Sequence, residues 1–175
     1  MPKIIENIRE IILEEAQKQL RANGYEKTTI RSIATACNIG VGTVYNHFPS
    51  KEALITAFML EDWYRCTTTM EQLDVADFDG FFIGMNHALK EFAGKYDYLF
   101  QDPAVAAEFA TAFSGRHRQL RKRLAQIIAP VLDKENPRYA SEDFLASYVA
   151  ESILYWAMTD AKIEDQLQVL HNLVA

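Results

Sequence analysis

The stretch Ile30–Lys51, IRSIATACNIGVGTVYNHFPSK, holds the residues whose types and spacing best suit chemistry. On a helix turning 100° per residue, Val41, Val44 and Phe48 gather on one side. Gly42, Thr43 and Asn46 face the other way, with Tyr45 and His47 on the flanks. The outward set is small or hydrogen-bonding and carries no carboxylate. That is non-covalent chemistry suited to a polyanion, and the slim profile suits a helix entering the major groove of DNA. Gly42 permits close backbone approach, and Thr43 and Asn46 can reach base edges or phosphates. Tyr45 and His47 can donate to phosphate oxygens at the rim. Lys51, with the free amides at the start of the following helix, adds a further anion contact. Thr28 and Thr29 offer the same at the preceding helix start.

These side chains need a scaffold, because each half of the stretch is too short to be a stable helix alone. An i, i+4 stripe of Ile4, Ile8, Ile12, Ala16 and Leu20 predicts a first helix to about Asn23, stopped by Gly24. Thr28 is expected to cap a short second helix carrying Ile30, Ile33 and Ala34. Asn38 tolerates the left-handed backbone that a sharp reversal needs. The third helix spans about Val41 to His47. Pro49 ends it, and Ser50 can cap a long fourth helix reaching about Leu73. Two short helices joined at a steep angle bury one face against a third helix and leave another exposed.

Further along, Asp77 opens a helix with Phe78, Phe82, Met85, Leu89, Phe92 and Tyr96 in register. Asp102-Pro103 is a start signal for the next, which carries Val105, Phe109 and Phe113 and stops at Gly115. Leu120, Leu124, Ile127 and Ile128 mark another, kinked or ended by Pro130. Ser141-Glu142-Asp143 begins one with Leu145, Val149, Ser152 and Trp156 on a face, and the last starts near Ala161. The fold class is all-α. The division is a head at 1–49 and a helical body at 50–175.

Composition narrows the function. The chain has 175 residues, 49% of them hydrophobic and 24% charged, as in ordinary globular domains. No run of eighteen apolar residues offers a membrane span, and the first fifteen residues lack a signal-peptide pattern. The expected location is the cytoplasm, with no membrane partner. Cys37 and Cys66 are too few and too scattered for a disulfide framework or a zinc site. His87, His117 and His171 lack ligand spacing, so no metal and no cofactor are expected. No nucleophile–base grouping and no Glu-x-x-His pair is visible, which argues against an enzyme. The net charge of −6 is unevenly spread. Residues 1–52 hold seven Lys/Arg against six Asp/Glu, and the remainder eleven against eighteen, so the head is nearly neutral above an acidic body. The cluster Arg116–Arg123, five Lys/Arg in eight positions, reads as a solvated helix face with Leu120 and Leu124 turned inward and body acids as partners.

The run GYEKTTIRSIATACNIGVGTVYNHFPSKEAL resembles the DNA-binding segment of the tetracycline-repressor (TetR) family of bacterial regulators. Gly24-Tyr25, Thr28-Thr29-Ile30-Arg31, Ile33-Ala34, Gly42, Tyr45, Phe48 and Lys51-Glu52 carry the likeness. Cys37, Asn38 and Gly40 depart from the usual Ala, Gly and Ser; Gly40 loses a hydroxyl cap and is not carried over as a contact. The resemblance implies a homodimer, a three-helix head and a body that pairs subunits and binds a small effector. On matching positions it implies DNA contacts at Thr29, Gly42, Thr43, Tyr45, Asn46, His47 and Lys51. The function it implies is a repressor, released from double-stranded palindromic operator DNA by a small apolar or aromatic effector. The alternatives are an activator without an effector and a helical protein-interaction module. Trp63, Phe82, Phe109, Phe113 and Tyr148 are the candidate effector-lining aromatics. Tyr148, Ser152, Trp156, Ile163, Leu167 and Leu170 are the candidate dimer contacts, with Ala146, Ala150 and Ala157 allowing close helix approach.

Overall fold

The computed structural model describes residues 7–100, 105, 118–132 and 142–174, and all regular structure among them is helical. The chain divides into two compact units, Met1–Asp62 with Asp97–Phe113, and Trp63–Tyr96 with Ser114–Ala175.

In the first unit α1 spans Ile8–Lys27 and buries Ile12, Leu13, Ala16 and Leu20 along one face. Gly24 interrupts it with φ +78° and ψ 176°, a conformation that glycine adopts without Cβ strain. The helix proper therefore stops where the sequence places its end. α2, Ile30–Ala36, buries Ile30, Ile33 and Ala34. Its cap is Thr29 rather than Thr28. The Thr29 hydroxyl accepts from the Ser32 amide at 3.0 Å, and Ser32 Oγ accepts from the Thr29 amide at 3.1 Å. Thr28 is instead buried, its hydroxyl donating to the Gly24 carbonyl at 2.8 Å, so it offers nothing to an outside phosphate.

Asn38, at φ +54°, makes the reversal, and the Ile39 amide reaches back to the Ala34 carbonyl at 3.0 Å. α3 then runs Val41–His47 from a Gly40 N-cap that has no side-chain bond. Val44 and Phe48 are buried, but Val41 is 37% exposed, because only one turn of so short a helix can face α1 and α2. Ser50 Oγ accepts from the Ala53 amide at 3.1 Å and starts α4, Lys51–Met70. In this unit α4 buries Leu54, Ile55, Phe58 and Met59. Truncating a buried leucine such as Leu20 to alanine costs about 2–5 kcal/mol in cores of this kind.

In the second unit α4 contributes Trp63 and Met70. Asp77 caps α5, Phe78–Phe100, by accepting from the Gly80 amide at 3.0 Å. Residues 118–128 form α6, which tightens to a single 3-10 turn at Ala129–Val131 where Pro130 stands. α7 is Glu142–Ala157 and α8 is Ile163–Val174. α5, α6 and α7 bury Phe81, Met85, Leu124, Ile128, Val149 and Ile153 in one core. A buried hydrogen-bonded pair sits beside it. Asn86 Nδ2 donates to Gln166 Oε1 at 2.8 Å, and Gln166 Nε2 donates to the Ala161 carbonyl at 2.9 Å, which sets the register of α8 on α5. The helix expected after Asp102-Pro103 lies outside the described residues except Val105, which is buried.

Candidate nucleic-acid interface

α2 packs on α1 and α3 packs on α2, so the buried sides of both short helices are consumed and the remaining side of α3 is solvent-facing. Gly42, Asn46 and His47 are exposed, Tyr45 is 51% exposed and Thr43 is half-buried. A Cβ built on Gly42 meets no atom within 4 Å, so the space above it is open. Thr29 is exposed at the start of α2, its oxygen occupied by the Ser32 amide but its O–H still able to donate. The presented surface is the acid-free one read from spacing. No α3 residue is an acid, and no side chain caps its first turn, where the Thr43 amide donates to the Gly40 carbonyl at 2.9 Å.

Lys51 sits differently from a free surface lysine. Its Nζ donates to the Tyr25 carbonyl at 3.0 Å and lies 3.5 Å from the centroid of the Tyr25 ring. The Tyr25 hydroxyl in turn donates to Glu52 Oε1 at 2.7 Å. Partial burial pushes the Glu52 carboxyl up, but bonds from Ser50, its own amide and Tyr25, with the Lys51 charge, outweigh that and leave it below the usual range. A second tie holds the other end of this part of α4. Arg9 Nη1 meets Glu61 Oε1 at 2.7 Å, and the same guanidinium lies 5.5 Å from the Phe48 ring centroid. Sequence spacing missed Tyr25, Ser32 and Arg9 as organisers of this surface. Gly24-Tyr25 was visible in the motif, but a contact 26 residues away from Tyr25 leaves no periodic signal.

Cys37 is half-buried at the end of α2, its Sγ 3.8 Å from the Ile11 carbonyl, and burial followed by the Glu15 charge pushes its thiol up. Cys66 is pushed up to about 11 by burial and then by Glu91, so neither thiol is activated as a thiolate.

Three of the aromatics expected to line an effector site, Trp63, Phe82 and Tyr148, lie among the described residues. Trp63 is buried with its ring edge-on to Phe92 at 5.3 Å, and Phe82 is buried between Phe78 and Phe81. Both fill the core because an aromatic at helical spacing is absorbed by neighbouring rings. Tyr148 is 51% exposed on α7, and Phe109 and Phe113 lie outside the described residues. The second unit does open a groove of about 190 Å3 lined by Met70, Leu73, Phe81, Ile127 and Pro130, with Glu71 and Arg123.

The expected pairing helices also sort differently. Leu170 is 1% exposed, and Ala146, Ala150 and Ala157 are buried, so their own chain's core has already taken them. Ser152, Trp156, Ile163 and Leu167 are half-buried. Exposed on α7 are Phe144, Tyr148 and Tyr155 at 67, 51 and 68%, at steps of four and seven residues, with Met158 at 79% just past its end. In the basic cluster, Arg121 pairs with Glu151 at 2.9 Å and Arg123 with Glu71, while Leu124 is buried; Arg116 and His117 lie outside the described residues. Among the described residues no three His, Cys, Asp or Glu side chains group as a metal site, and no helix is long and apolar enough to cross a membrane.

A helix-turn-helix on a three-helix head, with all regular structure among the described residues helical, defines the class: an all-α helix-turn-helix protein. The family model described as bacterial regulatory proteins, tetR family, matches residues 12–58. The likeness to the tetR family in sequence is therefore carried by this head. The transcriptional regulator UidR of Escherichia coli (strain K12) is 43% identical over 54 residues, 31% of this chain and 28% of UidR. The transcriptional repressor AcnR of Corynebacterium efficiens is 35% identical over 66 residues, 38% of this chain and 35% of AcnR. The match therefore spans about a third or less of these curated relatives. Over nearly the whole chain the fold is that of Salmonella enterica GusR, with a TM-score of 0.59 at 22% identity and 98% coverage of both chains. It is also that of the multidrug binding protein EbrR solved with imidazole, with a TM-score of 0.61 at 18% identity, 95% of this chain and 89% of that one.

Proposed function

We propose that this chain is a sequence-specific DNA-binding transcription regulator, not an enzyme, acting as a homodimer in the cytoplasm. The observation that carries this reading is the outward side of α3, where Gly42, Tyr45, Asn46 and His47 stand exposed without an acid among them. Thr29, Thr43 and Lys51 complete the contact set. Gly42 admits the helix to the major groove, Thr43 and Asn46 read base edges, and Thr29, Tyr45, His47 and Lys51 hold phosphates. Residues 1–49, with Lys51 at the start of α4, supply this surface, and the rest of 50–175 supplies pairing and effector binding.

One head offers few contacts and little net positive charge, so affinity comes from two heads joined by their bodies. Two copies reading half-sites roughly 34–36 Å apart, or a multiple of it, imply a palindromic operator. The exposed stripe Phe144, Tyr148 and Tyr155 on α7, with Met158 just past its end, is the pairing surface, flanked by Ser152, Trp156, Ile163 and Leu167. Repression by occupying the operator is the simplest output of this arrangement. A small apolar or aromatic effector would release it by changing how the two heads are presented, and the aromatic-rich second unit supports that chemistry.

The test is selection of bound DNA from random oligonucleotides with the full chain. A recovered palindrome with half-sites one or two helical turns apart supports the reading, and recovery of no consensus overturns it. On the selected site Tyr45→Ala should weaken binding about ten-fold and flatten its salt dependence, because a phosphate contact is lost from each head, while helicity stays unchanged. Gel-shift titration at several salt concentrations, with circular dichroism alongside, reads both. Unchanged binding removes Tyr45 from the interface.

A further inference from the structure

Lys51 is committed to two partners on one residue before any DNA arrives. One N–H of its ammonium points to the Tyr25 carbonyl at 3.0 Å, and the charge lies 3.5 Å from the Tyr25 ring centroid. An ammonium has three N–H donors, so this seat leaves one for an outside acceptor. The same tyrosine acts on the neighbouring acid: its hydroxyl donates to Glu52 Oε1 at 2.7 Å. Tyr25 therefore touches both the cation that favours a polyanion and the adjacent carboxylate that repels one.

We infer that Tyr25 is a positioning residue for DNA binding, seating the Lys51 ammonium for a phosphate and restraining the Glu52 carboxylate beside it. This rests on the proposed function in taking Lys51 as a phosphate contact. A lysine on a four-carbon stem is otherwise among the costliest side chains to immobilise. Ring and carbonyl immobilise it in the free protein, so little of that cost falls on complex formation. Tyr25 lies 26 residues from Lys51, so it acts only because α1 and the start of α4 pack in one unit. Replacing it should therefore act on DNA affinity through Lys51 and not through α3.

Two measurements on the full chain test this. Reductive methylation with formaldehyde and borohydride, read by mass spectrometry, measures lysine accessibility without DNA. In the parent Lys51 should react several-fold more slowly than exposed Lys27. Tyr25→Leu should bring the two rates together, and Tyr25→Phe, which keeps the ring, should not. Equal rates in the parent, or no acceleration in Tyr25→Leu, overturn the seat whether or not the protein binds DNA. The second is a double-mutant cycle on the selected operator. Tyr25→Leu should lower affinity roughly ten-fold in the parent and less than two-fold in a Lys51→Met background. Lys51→Met itself should flatten the log–log salt slope by about 1.8 for a dimer losing two phosphate contacts. An equal loss in both backgrounds makes Tyr25 merely structural and sinks the inference. If the parent selects no DNA, it is the function that falls, and the methylation rates still report on the seat.

Discussion

Gly42→Asp should abolish operator binding while the free protein melts no lower than the parent. The two halves of that result have opposite signs for physical reasons. Gly42 lies at the second position of α3, and a Cβ there meets nothing within 4 Å, so the substitution creates no internal clash. Removing a helical glycine gains up to about 0.5–1 kcal/mol by restricting the unfolded chain. A carboxylate in the first turn is favoured by the helix dipole by about 0.3–1 kcal/mol. In the complex the same side chain stands on the face meant for the groove, where bulk and negative charge are both excluded. Like-charge juxtaposition costs several kcal/mol, and a dimer incurs it twice, so affinity should fall by at least about a thousand-fold. Fluorescence anisotropy on the selected operator and a thermal melt by circular dichroism measure the two effects. Binding within ten-fold of the parent would show that α3 does not enter a groove. A lowered melting temperature would show instead that this face packs inside the protein.

The second large effect is expected on the other unit. Replacing Tyr148 and Tyr155 together by glutamate should yield a folded monomer that no longer holds the operator. Both rings stand more than half exposed in the single chain, so a charged substitute remains solvated and costs the fold little. Within a symmetric pairing surface, four added carboxylates would have to be desolvated against one another. Losing the pairing removes the second head's effective concentration, which for a joined pair is on the order of millimolar, and operator affinity should drop by about a thousand-fold or more. Sedimentation velocity and anisotropy on one sample measure both. A double variant that still sediments as a dimer would place the pairing surface elsewhere. A monomer that binds as tightly as the parent would make dimerisation irrelevant to recognition.

The two variants probe different parts of the argument, since the first leaves pairing intact and the second leaves α3 intact. Losing binding in both, with folding kept in both, is the joint result that the proposed function requires.

What could be read from the residues alone was mostly local. Gly24, Asn38, Ser50, Asp77 and Pro130 set where helices stop, turn or start, because each acts through its own backbone angles or on an amide two or three positions away. The placement of Val44 and Phe48 inward and Gly42 and Asn46 outward followed from 100° per residue on one short helix. The acid-free character of that outward face is a property of composition, and no folding was needed to see it.

Tertiary structure decided how the long-range partners are spent. Thr28 and Thr29 are equally good caps by type, and burial of Thr28 against Gly24 leaves the role to Thr29. Lys51 looked free but is seated on Tyr25, and Arg9 joins Phe48 to Glu61 across 52 residues of sequence. Periodicity identifies a helix's apolar face but not whether its own chain or another will cover it. Trp63, Phe82 and Leu170 went to the chain's own core, while Tyr148 and Tyr155 were left at the surface. That choice depends on which helices meet, a non-local packing outcome that no window of neighbouring residues encodes.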